Sequence, residues 1–247
     1  MGADQQLRIP KPHGSAACIS DALLGTWAHG NVWASWLRIG QAFLWCAVVA
    51  IPLGLLMASF RWFNDVIEPV AAPMRSMPIT AFLPAFIGLF GIDETMKVAF
   101  LWFGMFFYLL AVVVEEVNRV DSSLLETAYT LGANKLQVMW LMFRASFPGV
   151  FSSFRILYDI GWTYVILVEI VNRKKGVGAM VQSAYELHQP ELVYAGIIAI
   201  GVAAFLFRFL LTLLEKLLFP WRQATAPSAG RVAAPSGTHT KAVSHGD

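Results

Sequence analysis

Charged residues are scarce in this chain. Asp, Glu, Lys and Arg make up 14% of its 247 residues, whereas soluble domains contain about one-quarter. Hydrophobic residues make up 57% and the mean hydropathy is +0.59, a composition that is typical of membrane proteins. The formal net charge is only +2, and this nearly neutral balance argues against a nucleic-acid partner.

Cysteine is also scarce, and two common motifs are missing. Cys18 and Cys46 are the only cysteines, and Cys46 lies in an apolar run. Neither a disulfide framework nor a metal site is therefore indicated.

Residues 1–15 form a polar N-terminal segment without the apolar stretch of a secretory signal. The sequence contains no G-x-x-x-x-G-K-[ST] motif, so an ATP-binding loop of this type would have to lie on another chain.

Long apolar runs take up most of the remaining sequence. A helix needs about 20 apolar residues to cross the hydrocarbon core of a bilayer, and five segments approach this length. The runs show no alternating pattern of a β-barrel, so they predict an all-α, polytopic membrane helical bundle with about five transmembrane helices. The predicted spans are residues 39–60, 77–92, 98–114, 151–171 and 192–214.

The segments that flank the spans have a different composition. Residues 16–38 mix three tryptophans with charged and polar side chains, and we interpret them as an interfacial amphipathic helix that leads into the first span. Residues 223–247 are rich in Ala, Pro, Ser, Gly and Thr, and this composition predicts a disordered C-terminal tail.

The polar segment 115–149 separates the third and fourth predicted spans. Ser123 with Glu126 three residues later has the pattern of a helix-capping box, and Asp121 and Ser122 are further capping candidates. Apolar residues that follow at helical spacing predict a short amphipathic helix with one apolar face.

A second helix is predicted to begin shortly after the first one ends. Gly132 is expected to end the first helix, and Asn134 with Gln137 three residues later can start the next. Residues 115–149 thus predict a helix–glycine–helix elbow outside the bilayer with apolar surface on both arms. From the residues alone, an interfacial amphipathic hairpin without a partner explains the same pattern.

The elbow resembles the "EAA" loop of ABC importer permeases. Glu126-Thr127-Ala128, then Gly132, then Phe147-Pro148-Gly149 follow that pattern in order. The resemblance covers roughly residues 20–222 and is greatest to the nitrate/sulfonate/taurine/bicarbonate branch of the binding-protein-dependent transport family. Further matching fragments are Arg38-Ile39-Gly40, Ile51-Pro52-Leu53-Gly54, Gly176-Val177-Gly178 and Leu214-Glu215-Lys216.

The resemblance implies that the elbow is a coupling helix, which docks into a groove on a cytoplasmic ATPase. It differs from the family pattern in two places: Thr127 replaces the first Ala, and Arg144-Ala145 stands where Leu-Pro is usual. The expected ATPase-docking residues are Glu126, Thr127, Ala128, Gly132 and Ala133.

The resemblance also implies an architecture and a set of partners. Residues 16–222 would form a type I ABC importer transmembrane domain, with five helices where relatives usually have six. The chain would be a multi-pass protein of the bacterial inner membrane with a cytoplasmic C-terminus. Its partners would be the ATPase, a second permease copy, an external solute-binding protein and the bilayer. It would need no cofactor of its own, since ATP and Mg²⁺ bind to the ATPase.

Charged residues inside the predicted spans are costly and are therefore candidates for a role. Asp159 and Arg208 lie at similar depth on antiparallel helices and could form an ion pair. Arg155 is four residues before Asp159 and could pair with it locally. These three charges are interpreted either as structural or as part of the solute pathway, whereas Glu169 is interpreted as interfacial.

Met77, Pro78 and Ile79 are expected, from the resemblance alone, to line the pathway. The predicted function is an ATP-driven permease for a small solute, an oxyanion or an organosulfonate. One alternative is a stand-alone secondary transporter or channel, which should show inverted repeats or many intramembrane polar residues. A second is an intramembrane enzyme, but all five histidines lie outside the predicted spans, and the chain is not expected to be an enzyme.

Overall fold

The computed structural model describes residues 26–171 and 174–220, with side chains from residue 30 onward. Within these ranges the chain is helical and contains no strand, which confirms the predicted all-α fold class. The predicted polar segment 1–15 and the tail 223–247 lie outside the described residues.

The helices are α1 (Thr26–Ser59), α2 (Arg61–Ser76), the short 3-10 helix η1 (Ile79–Phe82), α3 (Leu83–Phe90), α4 (Glu94–Asn118), α5 (Ser122–Thr130), α6 (Lys135–Val171), α7 (Val177–Glu186) and α8 (Pro190–Leu218).

Helix α1 is one continuous helix of 34 residues. The predicted helix over residues 16–38 leads into the first span without a break from Thr26 onward, and its interfacial position stays a prediction; residues 16–25 lie outside the described part. Sequence patterning suggested a boundary near Arg38, because a charge there looked unsuited to a span. In the structure the guanidinium is paired inside the bundle, so the helix continues past it without an unmatched charge.

Helices α1 and α4 form the centre of the bundle, and α6 packs against both. Their contact faces carry buried apolar residues at helical spacing. On α1 these include Ile39, Ala42, Cys46, Ala50 and Met57, and on α4 they include Phe100, Leu101, Met105, Leu109, Leu110 and Val113.

The predicted span 77–92 is not a single straight helix. It consists of η1 and α3, which meet α2 at an angle of 97°. Met77 adopts an extended conformation (φ −75°, ψ 139°), as expected for a residue that precedes a proline, since the Pro78 ring disfavours the helical conformation before it. The chain therefore contains a broken helix at Met77-Pro78, and α2 belongs to the same unit.

Three helical segments are long and apolar enough to cross a membrane: Gly30–Ser59, Glu94–Asn118 and Pro190–Leu218. The broken pair of α2 with residues Ile79–Phe90 would make a fourth if it counts as one span. The remaining predicted span lies in α6, which is long enough but carries several ionisable residues that lower its hydropathy. The number of about five membrane-crossing helices therefore stays a prediction, because it depends on whether α6 crosses the membrane.

The close approach of α1 to α4 at Gly54 gives a first testable prediction. A Cβ atom at Gly54 would lie 2.7 Å from Cγ1 of Val113, so Gly54→Ala should force the helices apart and cost about 1–3 kcal/mol. Gly40→Ala in the same helix meets nothing within 4 Å and should be neutral or stabilising. Thermal unfolding of the purified variants in detergent measures the difference, and equal stability of the two would contradict this packing.

Candidate functional site

The short helix α5 forms the first arm of the elbow, which we define as residues 121–137. Its N-cap is Asp121, whose Oδ1 accepts a hydrogen bond from the backbone N–H of Ser123 at 2.9 Å. The predicted capping box of Ser123 with Glu126 is therefore wrong; Asp121 caps instead, because a carboxylate is well placed to accept from the first free N–H groups. The backbone hydrogen bond from Ser123 lowers the pKa of Asp121.

Gly132 ends the first arm, as the sequence predicts. Its φ of +82° lies in the left-handed region, which glycine adopts without a steric penalty. The N–H of Ala133 donates to the carbonyl of Ala128 at 3.0 Å, and the N–H of Gly132 donates to that of Tyr129 at 3.0 Å. This is the hydrogen-bond pattern of a Schellman C-cap, so the sharp turn is a defined structure.

A reciprocal capping box begins the second arm, and this prediction is confirmed. The N–H of Asn134 donates to Oε1 of Gln137 at 2.9 Å, and the N–H of Gln137 donates to Oδ1 of Asn134 at 3.0 Å. Two of the free donors at the start of α6 are thereby satisfied.

The elbow presents apolar side chains that the rest of the described chain does not cover. Leu131 is 82% exposed and Leu136 is 72% exposed, one on each side of the Gly132 turn. Thr127, where the family pattern has Ala, is also exposed, and its hydroxyl donates to the carbonyl of Ser123. The elbow is therefore rigid, outward-facing and partly apolar, which are properties of a surface that binds another protein.

Helix α6 connects the elbow directly to the far end of the bundle. It runs without interruption for 37 residues, from Lys135 to Val171, a length of about 55 Å at 1.5 Å per residue. Because the second arm of the elbow is the first part of this helix, a displacement of the elbow acts directly on α6.

Two ion pairs join α6 to α8. Asp159 and Arg208 are 2.8 Å apart (Oδ2 to Nη1), which confirms that the two charges meet between helices. Arg155 does not pair locally with Asp159. It lies 3.2 Å from a carboxylate oxygen of Glu215 and also donates to Thr212, because its side chain extends towards α8.

Glu169 lies at the other end of α6, two residues before Val171, and its position at the membrane interface stays a prediction. Its side chain is 0% exposed, and its Oε1 lies 2.7 Å from Nη1 of Arg38. The same guanidinium donates from Nη2 to Glu94 at 2.9 Å. Lys97, which is also fully buried, lies 3.0 Å from Glu94, whose side chain is 49% exposed, so two cations face two carboxylates and only Glu94 reaches the surface. We call these four residues, together with Ser35, the buried charge network.

The buried charge network also holds the start of α7. Oε1 of Glu169 accepts from the hydroxyl of Ser35, and Oε2 accepts from the N–H of Gly178. The N–H of Val177 donates to the hydroxyl oxygen of Ser35. Both carboxylate oxygens of Glu169 therefore have a hydrogen-bond partner. The position is favourable for a carboxylate, because free N–H groups lie at the N-terminus of a helix.

The broken helix places the three residues that the resemblance assigned to a pathway in different surroundings. Ile79 is buried, with its Cδ1 close to Gly104 of α4. Met77 and Pro78 are exposed at the break itself. Only these two could contact a solute in the present conformation, and the lining role of all three stays a prediction.

Known proteins of one family match most of the chain. A family described as "Binding-protein-dependent transport system inner membrane component" matches residues 50–222. Taurine transport system permease protein TauC of Escherichia coli (strain K12) is 31% identical over 219 residues, which are 88% of this chain and 77% of that protein. Putative aliphatic sulfonates transport permease protein SsuC of Bacillus subtilis (strain 168) is 27% identical, over 87% of this chain and 79% of its own. Nitrate import permease protein NrtB of Synechocystis sp. is 23% identical, over 78% and 70%.

Removal of one charge from the buried charge network should be far more costly than removal of a surface charge. Arg38→Met leaves Glu169 buried without its cation, and breaking such a pair costs about 3–5 kcal/mol. Arg61→Met, at an exposed position of α2, should change stability by less than about 0.5 kcal/mol. Thermal unfolding in detergent measures both. Similar stabilities of the two variants would show that the network does not stabilise the bundle.

Proposed function

The chain belongs to the family of binding-protein-dependent transport system inner membrane components, and from this premise we propose that its elbow couples an ATPase to a pathway for a small oxyanion or organosulfonate. The chain is the transmembrane permease subunit of an ABC importer and not an enzyme, with the all-α type I permease fold. It is a multi-pass protein of the inner membrane, and its partners include an ATPase and a solute-binding protein.

The elbow is the proposed ATPase-docking surface. Three observations support this: the turn at Gly132 is fixed by hydrogen bonds, Leu131 and Leu136 are exposed, and α6 begins within the elbow. Ala133 donates the hydrogen bond that closes the turn onto Ala128, while Glu126 and Thr127 lie on the exposed face of α5. ATP and Mg²⁺ bind to the ATPase, and the present chain contributes no catalytic group.

Closure of the ATPase would move the elbow and, with it, the whole of α6. The pairs Asp159–Arg208 and Arg155–Glu215 link α6 to α8, so the two helices would move together. In the ATP-bound and ATP-free states the elbow would contact the ATPase differently, and this difference in contact free energy drives the change between inward-facing and outward-facing forms.

We further propose that two copies of the chain form the transporter, each with its C-terminus in the cytoplasm. In one copy, Arg208 is 62% exposed and Asp159 is 41% exposed, about ten residues from the end of α8. Charges at this depth avoid lipid and face protein or a water-filled cavity. A second copy would provide both a protein surface and a water-filled cavity, since the solute pathway would then run between the two copies.

The proposed substrate class rests on the relatives. Their names specify taurine, aliphatic sulfonates and nitrate, and these solutes share a small, singly charged oxyanion group. A stand-alone transporter or channel is not favoured, because the family and these relatives are permease subunits of transport systems.

An acidic residue at the tip of the elbow should prevent ATPase docking without harm to the fold. Leu131 is 82% exposed, so Leu131→Glu leaves the bundle intact but places a charge in the apolar contact. Affinity for the ATPase should fall by at least about tenfold, as for a central apolar interface residue. Co-purification of the ATPase with the tagged permease, followed by titration of the two purified proteins, measures this change.

The matched control is Leu187→Glu, at an exposed leucine that follows α7 at the opposite end of the bundle. This variant should bind the ATPase as the native chain does. Equal binding by Leu131→Glu and the native chain would show that the elbow is not the docking surface.

A further inference from the structure

Helix α2 exposes apolar side chains on one side, and it also carries Phe63 and Ile67, which pack against the core. Trp62, Val66 and Val70 are all more than half exposed on one side. The opposite side carries Glu68 and Arg75, whose side chains face α4. A helix that turns apolar residues outward and polar residues inward is typical of a membrane helix that lines a water-filled cavity.

A polar cavity of about 670 Å³ lies between α2 and the elbow-proximal end of α4. We call it the α2–α4 cavity. Its polar lining consists of Asn64, Glu68 and Arg75 from α2 and Glu115, Asn118 and Arg119 from α4. On α2 its lining ends at Arg75, two residues before Met77, and on the other side it reaches Arg119, the residue after α4.

Arg75 is fixed at the inner end of this cavity and keeps one free donor. Its Nη2 donates to Glu68 at 2.8 Å, and its backbone carbonyl accepts from the hydroxyl of Tyr108 at 3.1 Å. Its Nη1 is buried and has no hydrogen-bond partner among the described residues. A buried N–H without a partner is unfavourable, and an anion that reached Nη1 from the cavity would remove this cost.

The depth of Arg75 can be read from its contact with α4. Tyr108 is 14 residues from Glu94 and 10 from Asn118, the two ends of that helix. At 1.5 Å per residue these separations are about 21 Å and about 15 Å. The backbone of Arg75 therefore lies beside the middle of α4 and next to the broken helix, at a depth where transporters commonly bind their solutes.

We propose that Arg75 forms an oxyanion-binding subsite in the α2–α4 cavity, on the cytoplasmic half of the solute pathway. Nη1 donates to one oxygen of a sulfonate or similar oxyanion, and the amides of Asn64 and Asn118 line the route onwards. The proposal rests on the permease function proposed above and specifies where its substrate's anionic group binds. Glu68 and Glu115 balance Arg75 and Arg119, so the subsite holds the anion weakly and releases it, as conduction requires.

Cysteine labelling tests the subsite in the complete permease–ATPase complex in lipid nanodiscs. Asn118→Cys, in a background with Cys18 and Cys46 replaced by alanine, places one thiol in the cavity. Two reagents of similar size are compared: anionic sulfonatoethyl methanethiosulfonate and cationic trimethylammonioethyl methanethiosulfonate. We expect Arg75→Gln to lower the ratio of the anionic to the cationic rate by about tenfold, because a positive charge raises the local concentration of anions in a cleft.

Two controls separate the subsite from general electrostatics. Arg61→Gln removes a charge from the exposed start of the same helix and should leave the ratio unchanged. Methanesulfonate should slow the anionic reagent more than chloride does at equal ionic strength, since screening acts alike for both salts. Arg75→Lys should retain most of the ratio, and this outcome would exclude a loss of folding as the cause in Arg75→Gln.

The subsite is contradicted if Arg75→Gln leaves the rate ratio unchanged, or if methanesulfonate protects the thiol equally with and without Arg75. Neither result would affect the docking of the ATPase at Leu131, so the proposed function would stand. Conversely, failure of the ATPase to bind the permease would refute the proposed function, whatever the labelling rates show.

Discussion

A charge within a membrane bundle has to be neutralised by the protein, because lipid provides neither counter-ions nor hydrogen bonds. The buried charge network meets this constraint at the end of the bundle opposite the elbow. The cations of Arg38 and Lys97 face the carboxylates of Glu94 and Glu169, with Arg38 bonded to both. Because these residues belong to α1, α4 and α6 and also hold the start of α7, the network joins four helices at one point.

The proposed motion of the helices depends on this fixed point and on the length of α6. One end of α6 is held at Glu169, while its other end is part of the elbow. In the proposed mechanism, a displacement of the elbow pivots α6 about the network and takes α8 with it through Asp159–Arg208. The broken helix at Met77-Pro78 lies outside this rigid group, so the α2–α4 cavity can change shape while the network stays intact.

The features that could be predicted from the sequence are those formed between residues close in the chain. The capping box of Asn134 with Gln137 spans three residues, and the turn at Gly132 needs only local backbone conformation. The network joins Arg38 to residues 56 and 131 positions away, and no local pattern shows such a contact. For the same reason α1 was divided at Arg38. Pro78 indicates where the apolar run 77–92 bends, but the run alone does not show that α2 belongs to the same broken helix.

The central claim is that this chain moves solute only as part of an ATP-driven complex. Its most direct test is uptake of radiolabelled taurine, methanesulfonate and nitrate into proteoliposomes that contain the chain alone or with its ATPase. Solute-binding protein is added outside and ATP is enclosed. The account predicts uptake of at least one of these solutes when ATPase, ATP and binding protein are all present, and none by the chain alone. Uptake by the chain alone, driven by the solute gradient, would contradict it.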